Sequence, residues 1–135
     1  MFRLDGARLI VKLLERQGVT AVAGVPGGSN LPLYDALSES PIRHVLARHE
    51  QGAGFVAQGI ARVSGVPGVC IATSGPGATN LLTAIADAWM DSVPIVCLTG
   101  QVPRSMIGTQ AFQEVDICAM ARPVCKRAWQ AQTAA

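Results

Sequence analysis

Aromatic residues are scarce in this chain: they make up 4% of its 135 residues, whereas half of the residues are hydrophobic. Its core must therefore be built from Val, Ile, Leu and Ala, whose small side chains suit closely packed layers of helix and sheet. The length favours a single domain that is large enough to bury a core.

The chain also lacks a strong charge of either sign, long apolar runs and cysteine motifs. Its net charge is +2 and its basic residues are dispersed, which argues against a nucleic acid partner. No segment approaches about 18 uninterrupted apolar residues, so no membrane span is expected. The amino terminus has no signal-peptide pattern, and the four cysteines have no CxxC or other metal spacing. These absences favour a cytoplasmic protein.

Four short apolar runs are present, and each ends in a polar or glycine-rich corner. They are Ala21–Val25, Ile42–Leu46, Val69–Thr73 and Ile95–Thr99. Helical patterns separate them, and a βαβα alternation with continuous apolar strands predicts a parallel sheet. The predicted fold class is α/β: a doubly wound open parallel sheet with helices on both faces.

The helices are predicted from apolar spacing and from capping residues. They are a helix capped by Asp5 and running to about Gln17, one around Leu33–Leu37, one over Gln51–Ser64 and one ending near Trp89. A loop over Pro103–Glu114, a short amphipathic turn through Ile117 and Met120, and an edge strand over Val124–Trp129 are predicted to follow. The third helix contains Gly52, Gly54 and Gly59, which indicates close packing on the chain's own sheet or contact with another subunit or a cofactor.

Glu50 is the strongest candidate for a functional residue. It follows the second predicted strand at the start of a helix, and open parallel sheets bind ligands outside the carboxyl ends of their strands. A structural role is the alternative, since a carboxylate there is favoured by the helix dipole and could pair with Arg48 or Arg62. His44 and His49 flank Glu50 without metal-ligand spacing, which is typical of satisfied polar groups.

The Gly75-Pro76-Gly77 turn could approach an anion, because a helix amino terminus presents free N–H groups. It matches neither common phosphate-binding glycine pattern, and Pro76 removes one donor. A nucleotide-binding domain is therefore a weak alternative.

Several blocks in order resemble the amino-terminal pyrimidine-binding domain of acetolactate synthase (acetohydroxyacid synthase) large subunits. The blocks are GVPGGS at 24–29, ARHEQGA at 47–53, ATSGPGATN at 72–80, TGQVP at 99–103, MIGT at 106–109 and AFQE at 111–114. The resemblance covers the region from about Leu4 to Lys126. It is far more specific than any single motif above.

The resemblance implies a thiamine diphosphate enzyme that joins pyruvate to a second 2-oxoacid in branched-chain amino-acid synthesis. In that family, Glu50 matches the glutamate that hydrogen-bonds N1′ of the cofactor's aminopyrimidine. Sharing a proton there promotes the imino tautomer, whose imino group removes the thiazolium C2 proton. Asp would reach less far, and Gln could not exchange the proton.

Further residues match the family's site by the same resemblance. Those implied to bind the cofactor are Val25, Pro26, Gly27, Thr73, Pro76, Asn80 and Gln113, and those implied to line the substrate channel are Phe112 and Pro103. Val25 stands where many relatives have Tyr, Gln110 replaces a usual Asp, and Ser29 replaces a frequent Ala.

The family also uses Mg²⁺ and FAD, but the Gly-Asp-Gly motif of its metal-binding domain does not occur here. We expect no metal ligands in this chain, a pyrimidine domain over residues 1–130 that is short at its carboxyl end, and an unstructured tail or truncation scar over 131–135. Such a fragment is expected to be inactive alone. The resemblance implies a homo-oligomer with the active site at a subunit interface, and allows a regulatory small subunit. The alternatives are another thiamine-dependent carboligase or decarboxylase, and a non-catalytic dimerisation or regulatory module.

Overall fold

A computed structural model of the chain describes residues 5–133. Four parallel strands form one sheet: β1 (Ala21–Gly24), β2 (Arg43–Leu46), β3 (Gly68–Ala72) and β4 (Ile95–Thr99), in the order β2-β1-β3-β4. Each strand lies within one residue of its predicted bounds, because continuous apolar runs mark strands that are covered on both faces.

Six α-helices are present in the described part of the chain. They are α1 (Gly6–Arg16), α2 (Leu31–Ser38), α3 (Glu50–Ser64), α4 (Pro76–Thr79), α5 (Leu82–Met90) and α6 (Ile117–Ala121), with 3₁₀ turns at Arg104–Met106 and Arg122–Val124. The Asp5 carboxylate caps α1 by accepting from Arg8 N at 2.8 Å, and Gly65 ends α3 with φ 72°. Over residues 5–133, no helix has the length and apolar character needed to cross a membrane.

The sheet is covered on both faces, which confirms the predicted doubly wound architecture. One face carries Val22, Val69 and Ile71 against residues of α1 and α2. The other carries Ala23, Cys70 and Ala72 against Ala53 and Ala57 of α3, with Leu81 just before α5. Alternate residues of β1 and β3 thus supply the two cores, as a pleated strand requires.

One prediction from the later part of the sequence is wrong. No strand covers Val124–Trp129: this segment begins in a 3₁₀ turn that packs against α5, so its backbone starts in the helical layer and not beside the free edge of β4. The helix predicted to follow Ser74–Asn80 and to end near Trp89 is confirmed as α5, and the short helix α4 precedes it. The boundary of the domain at residue 130 stays a prediction, and residues 134–135 of the expected tail lie outside the described residues.

The glycines of α3 differ in their surroundings. A Cβ at Gly54 would lie 2.5 Å from the Cβ of Ala84 on α5, whereas Gly52 and Gly59 have nothing within 4 Å of such an atom. Close packing within the chain therefore explains Gly54 alone. Gly52 and Gly59 are exposed and leave the outer side of the helix without a side chain at these two positions.

Candidate functional site

The carboxyl ends of the four strands lie along one edge of the sheet, and backbone hydrogen bonds hold their loops together. Ala47 N donates to Gly24 O at 3.0 Å, Val25 N donates to Ile71 O at 3.2 Å, and Gly100 N donates to Ala72 O at 2.9 Å. The loops after all four strands are thus linked in series. This edge is where open parallel sheets bind ligands.

Glu50 is the first residue of α3 and lies half-buried at this edge. His49 caps the helix, its Nδ1 accepting from Gln51 N at 3.1 Å, so Glu50 is not needed as the cap. The Asn80 side-chain Nδ2 donates to Glu50 Oε2 at 2.9 Å. Within residues 5–133 Glu50 has no ion pair, and Arg62, one suggested partner, pairs with Asp91 instead. The structural alternative of a Glu50–arginine pair is therefore wrong.

Thr73 lies between two glycines next to Glu50. A Cβ at Gly77 would lie 3.3 Å from Glu50 Oε1 and 2.7 Å from Thr73 Cγ2. A Cβ at Gly27 would lie 2.7 Å from the same methyl group. Any side chain at either glycine would displace Thr73. Glu50, Gly77, Thr73 and Gly27 therefore form one close-packed surface, which we call the Glu50 surface.

Two residues absent from the predicted site hold these loops in place. Buried Asn30 accepts from Gly27 N at 2.8 Å and donates to Val25 O at 3.2 Å, which folds the loop around Pro26. Ser29 Oγ lies 2.9 Å from Thr73 Oγ1 and accepts from Ser74 N at 2.8 Å. Neither residue was predicted for the site, although a Ser-Asn pair closing a glycine turn is a recognisable signal for side-chain-to-backbone bonding.

The other predicted residues are less closely joined. Gln113 has φ 61°, and its backbone lies so near Gly75 that a Cβ there would be 2.6 Å from Gln113 O. Pro76 opens α4 directly after that glycine. Phe112 is 87% exposed and Pro103 is exposed, so neither is enclosed by the described part of the chain. The structure thus brings Gln113 to the turn but leaves the two predicted channel residues on the surface.

Tyr34 and His44 form a second polar pair, next to the end of β1. Their rings meet edge to face with centroids 4.8 Å apart. The Tyr34 hydroxyl and His44 Nε2 are both buried without a hydrogen-bond partner. Burial raises the pKa of Tyr34 to about 12, with nearby Cys70 and Glu50 adding to the effect. For His44, burial lowers the pKa, and a hydrogen bond with the backbone of Gly24 opposes it. His44 is therefore not the fully satisfied group that its position suggests.

Stability should depend on the protonation of His44. Because its pKa is lowered by folding, the unfolded chain binds the proton at a higher pH than the folded chain does. We expect the free energy of unfolding to fall as the pH drops below about 6.5, the value for an unfolded histidine, and to level off below the folded pKa. Urea unfolding measured between about pH 7 and pH 5 checks this.

The matched control is His44→Phe, which keeps a ring beside Tyr34 and removes the titration. Its free energy of unfolding should vary less between about pH 7 and pH 5, because His44 is absent. His49 is present in both chains and so cannot cause a difference between them. Lowered carboxylate pKa values, as at Asp5 and Glu114, affect stability only at more acidic pH. If the free energy of unfolding changed equally with pH in the two chains, the assignment to His44 would be contradicted.

Residues 5–133 contain no group of three or more His, Cys, Asp or Glu side chains arranged to hold a metal ion. The polar side chains joined at this edge are the Glu50 carboxylate, the amides of Asn80 and Asn30, and the hydroxyls of Ser29 and Thr73. Such a set of groups can form hydrogen bonds to the edge of a flat polar ring.

Sequence comparison assigns the chain to a class. Residues 4–120 match the family described as thiamine pyrophosphate enzyme, N-terminal TPP binding domain, and the chain belongs to that family. The match includes every strand and the whole of the Glu50 surface. The resemblance from the blocks of sequence is therefore confirmed at the level of the family.

Within this class, the chain is similar to acetolactate synthases. It is 66% identical to the acetolactate synthase isozyme 1 large subunit of Escherichia coli (strain K12) over 125 residues, which are 92% of this chain and 22% of that protein. It is 53% identical to the probable acetolactate synthase large subunit of Methanocaldococcus jannaschii, covering 94% of this chain and 22% of that protein. It is 58% identical to acetolactate synthase 3, chloroplastic, of Brassica napus, covering 90% of this chain and 19% of that protein. The chain thus spans about a fifth of the length of these relatives.

Proposed function

We propose that this chain forms the part of a thiamine diphosphate-dependent acetolactate synthase that binds the aminopyrimidine ring of the cofactor. The full enzyme would decarboxylate pyruvate and join the remaining two-carbon unit to a second 2-oxoacid, in valine, leucine and isoleucine biosynthesis. One observation carries the proposal: the half-buried Glu50 carboxylate at the sheet edge is held by the Asn80 amide and by no cation among the described residues. Membership of the thiamine pyrophosphate enzyme family supports it.

The residues at this edge fit an aminopyrimidine ring. A ring nitrogen that shares a proton needs a carboxylate oxygen that is not already paired with Arg or Lys. Glu50 Oε2 accepts from Asn80, while Oε1 accepts no hydrogen bond from residues 5–133. Glu50 lies in the first turn of α3, at the positive end of the helix dipole.

Each residue would have a distinct role in this proposal. Glu50 would hold the proton shared with the ring nitrogen, and Asn80 would orient the carboxylate. When bound, thiamine diphosphate supplies the electron-accepting group that lets a 2-oxoacid lose carbon dioxide. The other residues proposed to bind the cofactor are Val25, Pro26, Gly27, Thr73, Pro76 and Gln113, and those proposed to line the substrate channel are Phe112 and Pro103.

The remaining cofactors would be held elsewhere in the full enzyme. We assign Mg²⁺ and FAD to segments beyond this chain, because residues 5–133 offer no cluster of metal ligands and the chain matches about a fifth of its relatives. The exposed faces of Phe112 and Pro103 would be covered there as well. This arrangement predicts that the 135-residue chain alone does not form acetolactate.

We further propose that the enzyme is a cytoplasmic homo-oligomer. Large apolar side chains are exposed on the outer helices, including Phe55 and Val63 on α3 and Trp89 and Met90 on α5. We infer that a second copy of the chain covers these side chains in the full enzyme. The relatives from Escherichia coli and Methanocaldococcus jannaschii are named large subunits, which supports a small-subunit partner for this protein.

A chimeric enzyme tests the proposed function. The 125 matching residues of the Escherichia coli isozyme 1 large subunit are replaced by those of this chain, and acetolactate formation from pyruvate is measured. We expect activity comparable to that of the parent enzyme, because the site residues named here would meet the parent's other domains. A chimera that assembles like the parent, as judged by sedimentation, but forms no acetolactate would contradict the proposal and favour a non-catalytic module.

A further inference from the structure

Cys70 and Cys97 face each other across the sheet. Cys70 is the third residue of β3 and Cys97 the third of β4, and the parallel register pairs them directly. Their Sγ atoms lie 3.3 Å apart, with the Cys70 thiol donating to the Cys97 sulfur. Both lie on the face covered by α3, next to Ala57 and Ala72. The two thiols are free, and so are Cys118 and Cys125.

The geometry of the two strands suits a bond between these sulfurs. Neighbouring strands lie about 4.8 Å apart, which is within the Cα separation of roughly 4.4–6.8 Å that disulfides span. The side chains already point at each other from positions paired in the register. A bond therefore needs a local side-chain adjustment and no rearrangement of the sheet.

The two thiols differ in their access to solvent. Cys70 is fully buried, whereas Cys97 on the edge strand β4 is partly exposed. The hydrogen bond to Cys97, together with burial, raises the pKa of the Cys70 thiol well above its usual value. An oxidant from solution would thus meet Cys97 first and Cys70 second.

We propose that Cys70 and Cys97 form an oxidation site at which a peroxide converts two thiols to one disulfide. The Cys97 sulfur attacks one peroxide oxygen, the O–O bond breaks, and the products are a sulfenic acid on Cys97 and one water. The Cys70 sulfur then attacks the Cys97 sulfur, the S–O bond breaks, and the Cys70 proton leaves with the hydroxide as a second water. Two thiols are oxidised by two electrons in total, and one hydrogen peroxide is reduced.

The bond would join the two strands whose ends carry site loops. Cys70 lies two residues before the end of β3, which leads to Thr73, and Cys97 lies two residues before the end of β4, which leads to Gly100. A Cβ at Gly100 would overlap Ser29 Oγ, which also lies 2.9 Å from Thr73 Oγ1, so Ser29 of the loop after β1 contacts both of these loops. Oxidation would therefore fix the spacing of the strands directly beneath the Glu50 surface.

The test is oxidation of the 135-residue chain with hydrogen peroxide, followed by alkylation of the remaining thiols and mass spectrometry. Trypsin releases both cysteines in one peptide, residues 63–104, because no Lys or Arg lies between Arg62 and Arg104. Chymotryptic cleavage after Trp89 then separates the two, unless a disulfide joins them. We expect the free thiols to fall from four to two, with the two fragments joined until a reductant is added.

Three controls make the outcome specific. In Cys97→Ser the joined fragments should be absent, while a Cys118→Ser, Cys125→Ser double variant should still form them. Oxidation in denaturant should lose the selectivity, since all four thiols are then equally accessible. Thiol loss confined to Cys118 and Cys125, crosslinks only between molecules, or a sulfinic acid on Cys97 beside a free Cys70 would each overturn the proposal.

Discussion

Replacing Glu50 by Gln in the chimeric enzyme is expected to lower kcat by about 100-fold or more, the range for loss of a positioned acid–base group. Gln keeps the size of the side chain and can still accept from Asn80, so the local fold should persist. It cannot take up or share a proton, which is the role proposed for the carboxylate. Steady-state acetolactate formation at saturating pyruvate measures this effect.

Glu50→Asp and Glu39→Gln complete the series. Asp keeps the charge but is shorter by one methylene, so it should retain more activity than Gln only if the carboxylate can still reach the ring nitrogen. Glu39 is exposed at the carboxyl end of α2 and pairs with Arg8, so its change to Gln should leave kcat unaltered. Full activity in Glu50→Gln would exclude the proposed proton-sharing role.

The strands of the site could be predicted from sequence because their apolar runs are short, continuous and followed by turn residues. Glu50 could be placed for the same reason, since it follows β2 and opens α3. Its partner could not be identified by such patterns. Asn80 follows β3, and β1 lies between β2 and β3 in the sheet, so the contact depends on the strand order. Only the three-dimensional fold brings the two side chains together.

The failures in prediction have a related cause. The Val124–Trp129 segment is apolar enough for a strand, but whether a strand forms depends on a free sheet edge within reach, and the 3₁₀ turn before it packs against α5. The sequence marks Ser29 as a departure from the family's frequent Ala, but it does not show that Ser29 holds the site together. Its bonds to Thr73 and Ser74 join loops 44 and 45 residues apart, which local sequence does not encode.

The largest effect on stability is expected for Gly68→Ala. A Cβ at this first residue of β3 would overlap the carbonyl oxygen of Ala57 and lie 2.6 Å from its carbonyl carbon. The obstructing atoms belong to the backbone of α3, so relief requires the helix to move off the sheet. We expect the free energy of unfolding to fall by about 1–3 kcal/mol or more, as overpacking of a core typically does.

Gly59→Ala is the matched control, because it adds the same methyl group to α3 itself. Nothing lies within 4 Å of a Cβ at Gly59, so the change should only reduce the entropy cost of ordering the helix. Unfolding should then require roughly 0.5–1 kcal/mol more free energy than in the unaltered chain. Urea unfolding measures the change in the free energy of unfolding of each variant relative to the unaltered chain. The two changes should have opposite signs. If Gly68→Ala were as stable as Gly59→Ala, α3 could not lie as close to β3 as the structure has it, and the placement of Glu50 at the start of that helix would lose its support.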